Sequence, residues 1–459
     1  MSLENILRKY AISQGDKIAL YEIDNEYGIT YKDLYQESFE LSKKLSVNKE
    51  ELFLINKPNS IELVKEILAC AFAKRVFFTG LGNPFLTDSQ KNSQLDYIKN
   101  HFYYKKDGFQ IRTSSGTTGQ ARFFYATEDN RIENAVIPKN RMRLNSQDTI
   151  LTCGLSLSSG LGDCCLFRSL ISGSKLFLDN DYSLEKFFNN LTLYKPTVVM
   201  SSAGGITDFY NYKGEFLKLF SSSLSPRVWY SGAGPLCYDH AVAVENLIEG
   251  VVINSLCCTE SATAHLADIT DSSDIRLKTV GKLNHSILAE DGEILLEETK
   301  VSELLGKPSE FINGYYPSGD FGAIDDNGYL VITGRKKLLI NDGYTDLNPY
   351  EIESFLQKLY KDASFICVGV KTDIPSTKEY PCIIINSTSK VDINLIKKSL
   401  YENFNFKLKY YYFIDYIPKL KNYKPDRVTL NTQAQNLYTN TSDLLGQYDI
   451  CLNLKNNYC

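Results

Sequence analysis

Short apolar runs recur along this chain at spacings that leave room for one helix between them, and that rhythm limits what it can fold into. Runs at 51–55, 150–155, 175–178, 197–200 and 251–254 read as strands, and they alternate with helix-patterned segments at 60–72, 162–171 and 238–248. A continuous apolar run of about four to eight residues suits a strand covered on both faces. The alternation therefore predicts an α/β fold, with mostly parallel sheets flanked by helices. After Gly334 the elements shorten: a helix at 349–359, strands near 365–370 and 382–385, a helix at 393–403 and a strand at 410–416. The expected organisation is a large N-terminal domain over 1–335, a small α+β C-terminal domain over 336–430, and a polar, Asn-rich tail over 431–459. With 459 residues and 43% hydrophobic content, the chain can bury the core this division needs.

Charge and cysteine usage narrow the function classes. The 55 acidic and 50 basic residues are spread evenly, and the aromatics are not interleaved with a basic stripe, so no nucleic-acid partner is expected. The eleven cysteines include the adjacent pairs Cys164-Cys165 and Cys257-Cys258 but no CxxC spacing, which reads as reduced thiols in a cytoplasmic protein. Residues 1–17 interleave charged and apolar positions, and nowhere do about eighteen apolar residues run together, so neither export nor a membrane span is expected. The histidines, His101, His240, His265 and His285, form no HExxH, and no GxSxG occurs.

The sharpest local signal is Ser114-Ser115-Gly116-Thr117-Thr118-Gly119, followed by Gln120-Ala121-Arg122. Two glycines let backbone N–H groups converge on an anion, the hydroxyls add donors, and Arg122 adds charge. With no Gly-Lys-[Ser/Thr] behind it, and no GxGxxG in the chain, it is neither a Walker A loop nor a Rossmann turn. A hydroxyl-rich surface loop is the plain alternative.

Other short motifs follow in order. They are Thr30-Tyr31-Lys32-Asp33-Leu34, Ser231-Gly232-Ala233-Gly234-Pro235-Leu236, Thr259-Glu260, Tyr316-Pro317-Ser318-Gly319-Asp320, Gly334-Arg335-Lys336-Lys337, Pro349-Tyr350-Glu351-Ile352-Glu353 and Asn422-Tyr423-Lys424-Pro425-Asp426-Arg427. Over roughly 1–430 this series resembles the adenylate-forming superfamily of acyl-CoA synthetases, peptide-synthetase adenylation domains and luciferases. The resemblance implies a mobile C-terminal domain and a reaction in two halves. An organic acid and ATP give an acyl-adenylate and pyrophosphate; a thiol, either coenzyme A or the phosphopantetheine of an acyl or peptidyl carrier protein, then takes the acyl group. It also implies roles. Ser114, Ser115, Gly116, Thr117, Thr118, Gly119 and Arg122 would cradle phosphates; Thr259 would meet the α-phosphate and Glu260 would hold Mg2+. Gly232, Ala233, Gly234, Asp320 and Arg335 would hold the nucleoside, Lys424 would reach into the cleft as the mobile cation, and Lys337 would lie at the hinge.

The match departs at Leu256-Cys257, where the family carries Tyr-Gly, and at Arg122-Phe123, where it carries Lys-Gly. The small residues Ser158, Ser159, Gly160, Ser202, Gly204 and Cys257 leave room for an acid side chain, with His265 as a further pocket residue. Gly160 falls where amino-acid-activating relatives hold an Asp, so an α-amino acid would lack its counter-ion and a fatty or aryl acid is expected. The competing reading is a catalytically weakened member that binds ligand and regulates a partner.

Overall fold

The computed structural model describes residues 2–114, 121–216, 224–261, 264–306, 309–341, 346–360, 362–371, 378–387, 389–419, 425–441 and 450–453. Its largest sheet has eight strands in the order Ala264–Leu266, Val251–Cys257, Val228–Gly232, Val198–Ser202, Thr149–Cys153, Lys175–Leu178, Ile18–Glu22, Tyr27–Thr30. The six inner strands run parallel, and each edge strand is antiparallel to its neighbour. Alternation along the inner strands sends Val198, Val228, Tyr230 and Ile253 to one face and Val199, Trp229 and Val252 to the other. The first face packs on helices Leu3–Ser13, Tyr31–Leu45, Ile61–Ala73, Glu128–Arg141 and Gly160–Ser172; the second packs on Leu184–Tyr194, Ala203–Phe216 and Tyr238–Glu245. This is the α/β architecture the apolar rhythm predicts.

A second sheet joins Glu303–Leu304, Phe123–Thr127, Gly108–Thr113, Phe77–Phe78 and Phe53–Leu54, and a third joins Ser286–Leu288, Glu293–Glu297, Tyr315–Ile324 and Leu330–Arg335. The expected strand at 51–55 is only Phe53–Leu54, and the helix expected to reach 248 stops at Glu245.

Helix Gly160–Ser172 matters most for the site. Ser159 caps its start, its Oγ accepting the Gly162 N–H, and Gly173 ends it in the left-handed region at φ 72°. A Cβ on Gly173 would stand 2.6 Å from the Tyr10 ring, so the residue needs both its conformation and its lack of a side chain. Residues 162–172 are all buried, which fixes the helix on every side.

Beyond Arg335 a four-stranded sheet, Ala363–Lys371, Glu379–Ser387, Tyr410–Phe413 and Ile450–Asn453, packs one face on helices Pro349–Leu359 and Ile393–Phe404. The stretch from 431, expected to be a tail, departs from that reading. Helix Arg427–Thr441 covers the other face, burying Leu430 and Ala434 against Ile366, Val368 and Ile384, and Ile450–Asn453 pairs parallel with Tyr410–Phe413. The polar composition hid a helix that needs only a narrow apolar stripe because one side alone is covered. Glu353 accepts both Arg427 Nη1 at 2.8 Å and Nη2 at 2.7 Å, so two of the ordered motifs are tied by one bidentate pair.

Candidate active site

The hydroxyl-rich loop sits at the tip of a hairpin. Strands Gly108–Thr113 and Phe123–Thr127 pair antiparallel with Thr113 opposite Phe123. At the base of the tip Ser114 N–H donates to the Arg122 carbonyl at 2.9 Å, and Arg122 N–H donates to Ser114 Oγ at 3.0 Å. Ser114 therefore fastens the hairpin base. Ser115, Gly116, Thr117, Thr118 and Gly119 lie outside the described residues.

Two arginines join this hairpin to the Thr259-Glu260 turn that follows strand Val251–Cys257. Arg112, buried at the end of its strand, donates from Nη1 to the Thr259 carbonyl at 2.9 Å. Arg122 donates from Nη2 to Glu260 Oε1 at 2.8 Å and from Nη1 to Tyr316 Oη at 2.9 Å. Burial pushes the Tyr316 phenol up, keeping it a neutral acceptor for that guanidinium. Ser302 N–H donates to the Glu260 carbonyl at 2.7 Å. A Cβ on Gly160 would lie 3.5 Å from Thr259 Oγ1, which puts the start of helix Gly160–Ser172 against the same turn.

Among the described residues no group of three or more His, Cys, Asp and Glu side chains could hold a metal ion. Magnesium keeps waters and phosphate oxygens around one or two carboxylates, and a single, nearly buried Glu260 beside the Ser114–Arg122 hairpin fits that mode.

On the third sheet, Arg335 Nε stands 3.4 Å from Asp320 Oδ1 on paired strands. Gly319 turns there at φ 77°, and Ser318 Oγ accepts the Asp320 N–H at 3.0 Å. Lys336 pairs with Glu293 at 2.7 Å. Lys337 is exposed, and its ammonium pKa is lowered by partial burial and then by Arg122 and Arg335, so it lies within reach of both cations. Lys424 lies outside the described residues. The chain on either side of its segment is fixed: Lys419 and Pro425 form an antiparallel bridge, and Lys419 pairs with Asp208 on helix Ala203–Phe216.

The expected nucleoside and pocket residues lie mostly near the turns after strands Val228–Gly232 and Val251–Cys257, and one packs elsewhere. The turn at Gly232, Ala233 and Gly234 follows strand Val228–Gly232; Ala233 sits at φ 62°, a left-handed conformation that costs about 1–2 kcal/mol for a residue with a side chain. Gly234 lies beside Ala203, so the Ser202–Gly204 turn borders it, with Ser202 Oγ accepting the Gly205 N–H at 3.1 Å. Ser158 is buried and its Oγ has no partner among the described residues. Cys257 is half-buried at the strand end. His265 packs elsewhere: it is 1% exposed, and its Nε2 lies 2.8 Å from Ser286 Oγ. Its place on strand Ala264–Leu266, opposite Leu256, turns it toward the third sheet.

Two residues here were not expected from the motifs, Arg112 and Tyr316. Tyr316 stands inside a matched motif without a role there, and Arg112 precedes the hydroxyl-rich loop in a stretch that carried no motif.

No family model matches the chain. It is similar to a 2-succinylbenzoate–CoA ligase of Staphylococcus epidermidis, 23% identical over 488 residues that cover 94% of this chain and 98% of the relative. Among solved structures it superposes on o-succinylbenzoate coenzyme A synthetase of Bacillus subtilis in complex with ATP and magnesium, with a TM-score of 0.74 at 20% identity, covering 93% of this chain and 99% of the other. It also superposes on the anthranilate CoA ligase AuaEII in complex with anthranoyl-AMP, with a TM-score of 0.78 at 18% identity, covering 96% and 98%. The solved structures, each under 25% identical, establish the fold; the full-length sequence relative is likewise a ligase of an acid and coenzyme A by name.

Proposed function

We propose that this chain is an AMP-forming acid–CoA ligase for an aryl acid, using ATP and magnesium. The observation that carries this reading is the convergence of Arg112 on Thr259 and of Arg122 on Glu260 and Tyr316 at the base of the Ser114–Arg122 hairpin. Joining a carboxylate to the α-phosphate brings two anions together, and a site that does so needs preset donors and cations where charge accumulates. Arg112 sets the Thr259 turn, so its hydroxyl can donate to the α-phosphate; Ser114 and Arg122 fix the hairpin whose tip would take the outer phosphates. Asp320 would accept the ribose hydroxyls, with Arg335 beside it. Lys424 would bring an ammonium to the reacting oxygens from a C-terminal domain over 336–430, hinged at Lys337. When bound, magnesium would neutralise phosphate charge, with Glu260 as its protein ligand.

The names of the relatives support coenzyme A as acceptor and an aryl acid as substrate. A carrier-protein phosphopantetheine arm presents the same thiol and is the alternative acceptor. No helix among the described residues is long and apolar enough to cross a membrane.

The test is acid-dependent ATP–pyrophosphate exchange over aryl, fatty and amino acids, followed by product analysis with coenzyme A and with a pantetheinylated carrier. Exchange with an aryl acid and AMP release on adding coenzyme A are expected, and Lys424→Ala should suppress exchange. ADP as product, or intact nucleotide binding with no exchange for any acid, overturns the reading; the latter favours a binding module.

A further inference from the structure

Glu293 opens the inner strand Glu293–Glu297 of the third sheet and is 5% exposed. Its Oε1 accepts the Gly319 N–H at 3.0 Å, and its Oε2 pairs with the Lys336 ammonium at 2.7 Å. These partners flank the two residues expected at the ribose: Gly319 precedes Asp320, and Lys336 follows Arg335. One buried carboxylate therefore holds both chain segments that carry them. Burying a carboxylate is costly unless it is paired and hydrogen-bonded, so both contacts are needed in the folded chain.

A bulge explains the first contact. Glu293 stands opposite Phe321 and Leu295 opposite Pro317, so Ser318, Gly319 and Asp320 face Ile294 alone. Extra residues of this kind bend a strand and re-aim a side chain, and these fall where Asp320 pairs across with Arg335. Gly319 takes φ 77°, and a Cβ there would meet nothing within 4 Å, so the turn needs the freedom of glycine and not its slimness. With no side chain for packing to grip, Gly319 is held by its N–H. The second contact reaches outward. The Lys336 side chain is 56% exposed and is fixed at its tip by Glu293, and the next residue is Lys337, the proposed hinge. A hinge residue absorbs the backbone change for a whole domain, which requires the chain on its near side to be anchored.

We propose that Glu293 is a positioning residue that couples the ribose site to the hinge. Through it, a nucleotide held at Asp320 steadies Lys336 and fixes the near side of the turn about which the C-terminal domain moves. This rests on the ligase reading and adds to it a link between nucleotide occupancy and domain position.

The experiment follows amide hydrogen exchange in peptides covering 316–322 and 333–341, with and without AMP, in wild type, E293Q, K336M, their double variant and E293A. The KM for ATP and the thermal midpoint are measured alongside. In wild type AMP should slow exchange in both stretches. In E293Q and K336M it should still slow 316–322 while protection at 333–341 is lost, and the double variant should be no worse than either single, since all three lack the same contact. E293A drops the Gly319 contact as well and should raise the KM for ATP about tenfold, the scale of a hydrogen bond to a charged group. E293Q keeps an oxygen for that N–H and should recover most of the rise. Protection at 333–341 in E293Q equal to wild type overturns the proposal, as does wild-type protection confined to 316–322, an additive loss in the double variant, or a KM that simply tracks the thermal midpoint. If calorimetry finds no AMP binding, the ligase reading fails instead. The anchor is then judged without nucleotide: faster exchange at 333–341 in both E293Q and K336M upholds it, and unchanged exchange in either overturns it.

Discussion

At the scale of single residues, buried charge and buried titratable groups set the strongest constraints. Asp163 is 3% exposed and accepts Arg131 Nη2 while lying 3.5 Å from Arg112 Nε. Asp163→Asn leaves two buried guanidiniums without their shared counter-charge, and we expect a loss of about 3–5 kcal/mol in urea unfolding. His265 gives a pH dependence of known sign. Burial, and then His285, pushes its imidazole from 6.5 down to about 4, so the folded protein keeps it neutral where the unfolded chain binds a proton. Its contribution is complete above pH 6.5 and is lost as pH falls toward 4, reaching about 3 kcal/mol at the lower end. Relative to wild type, His265→Gln should show a shallower fall in unfolding free energy across that window. An unchanged slope would contradict a neutral, buried His265.

At the scale of elements, the helix that caps the C-terminal sheet offers a direct check. Leu430 is 0% exposed and packs with Ala434 against Ile366, Val368 and Ile384. Leu430→Ala should cost about 2–5 kcal/mol in chemical denaturation, the range for emptying a core leucine site. The helix was invisible in composition because residues 427–441 carry few apolar side chains, whereas the inner strands of the large sheet announced themselves by apolar runs that needed no period to be read. The hairpin strands Gly108–Thr113 and Phe123–Thr127 were legible only as a loop motif between them. Their buried polar residues, Gln110 and Arg112, break the apolar signal because they serve the site and not the core. The order of motifs singled out Thr259, Glu260 and Asp320 by local residue order alone, and the structure holds the first two through Arg112 and Arg122.

At the scale of the whole molecule, Lys419, the last described residue before Lys424, is tied to the large sheet's helical layer by an ion pair with Asp208. Both side chains are mostly covered, at 21% and 11% exposure, so the pair is screened less than a surface bridge. Lys419→Ala should slow ATP–pyrophosphate exchange about tenfold, the lower end for losing a hydrogen bond between charged groups, while transfer from a preformed acyl-adenylate to coenzyme A is unchanged. Equal slowing of both half-reactions would show that the pair only stabilises the fold.

The helix Gly160–Ser172 presents its first turn to Thr259, and residues 162–172 are buried on every side. Over evolutionary time this ties diet to architecture. A lineage of such chains cannot trade one acid for another by altering a surface loop; each new taste is a core mutation, tolerated only when a neighbouring strand changes with it. Specificity in this fold should therefore drift slowly and in paired steps, leaving matched substitutions on the helix and on strands Val228–Gly232 and Val251–Cys257 as its record.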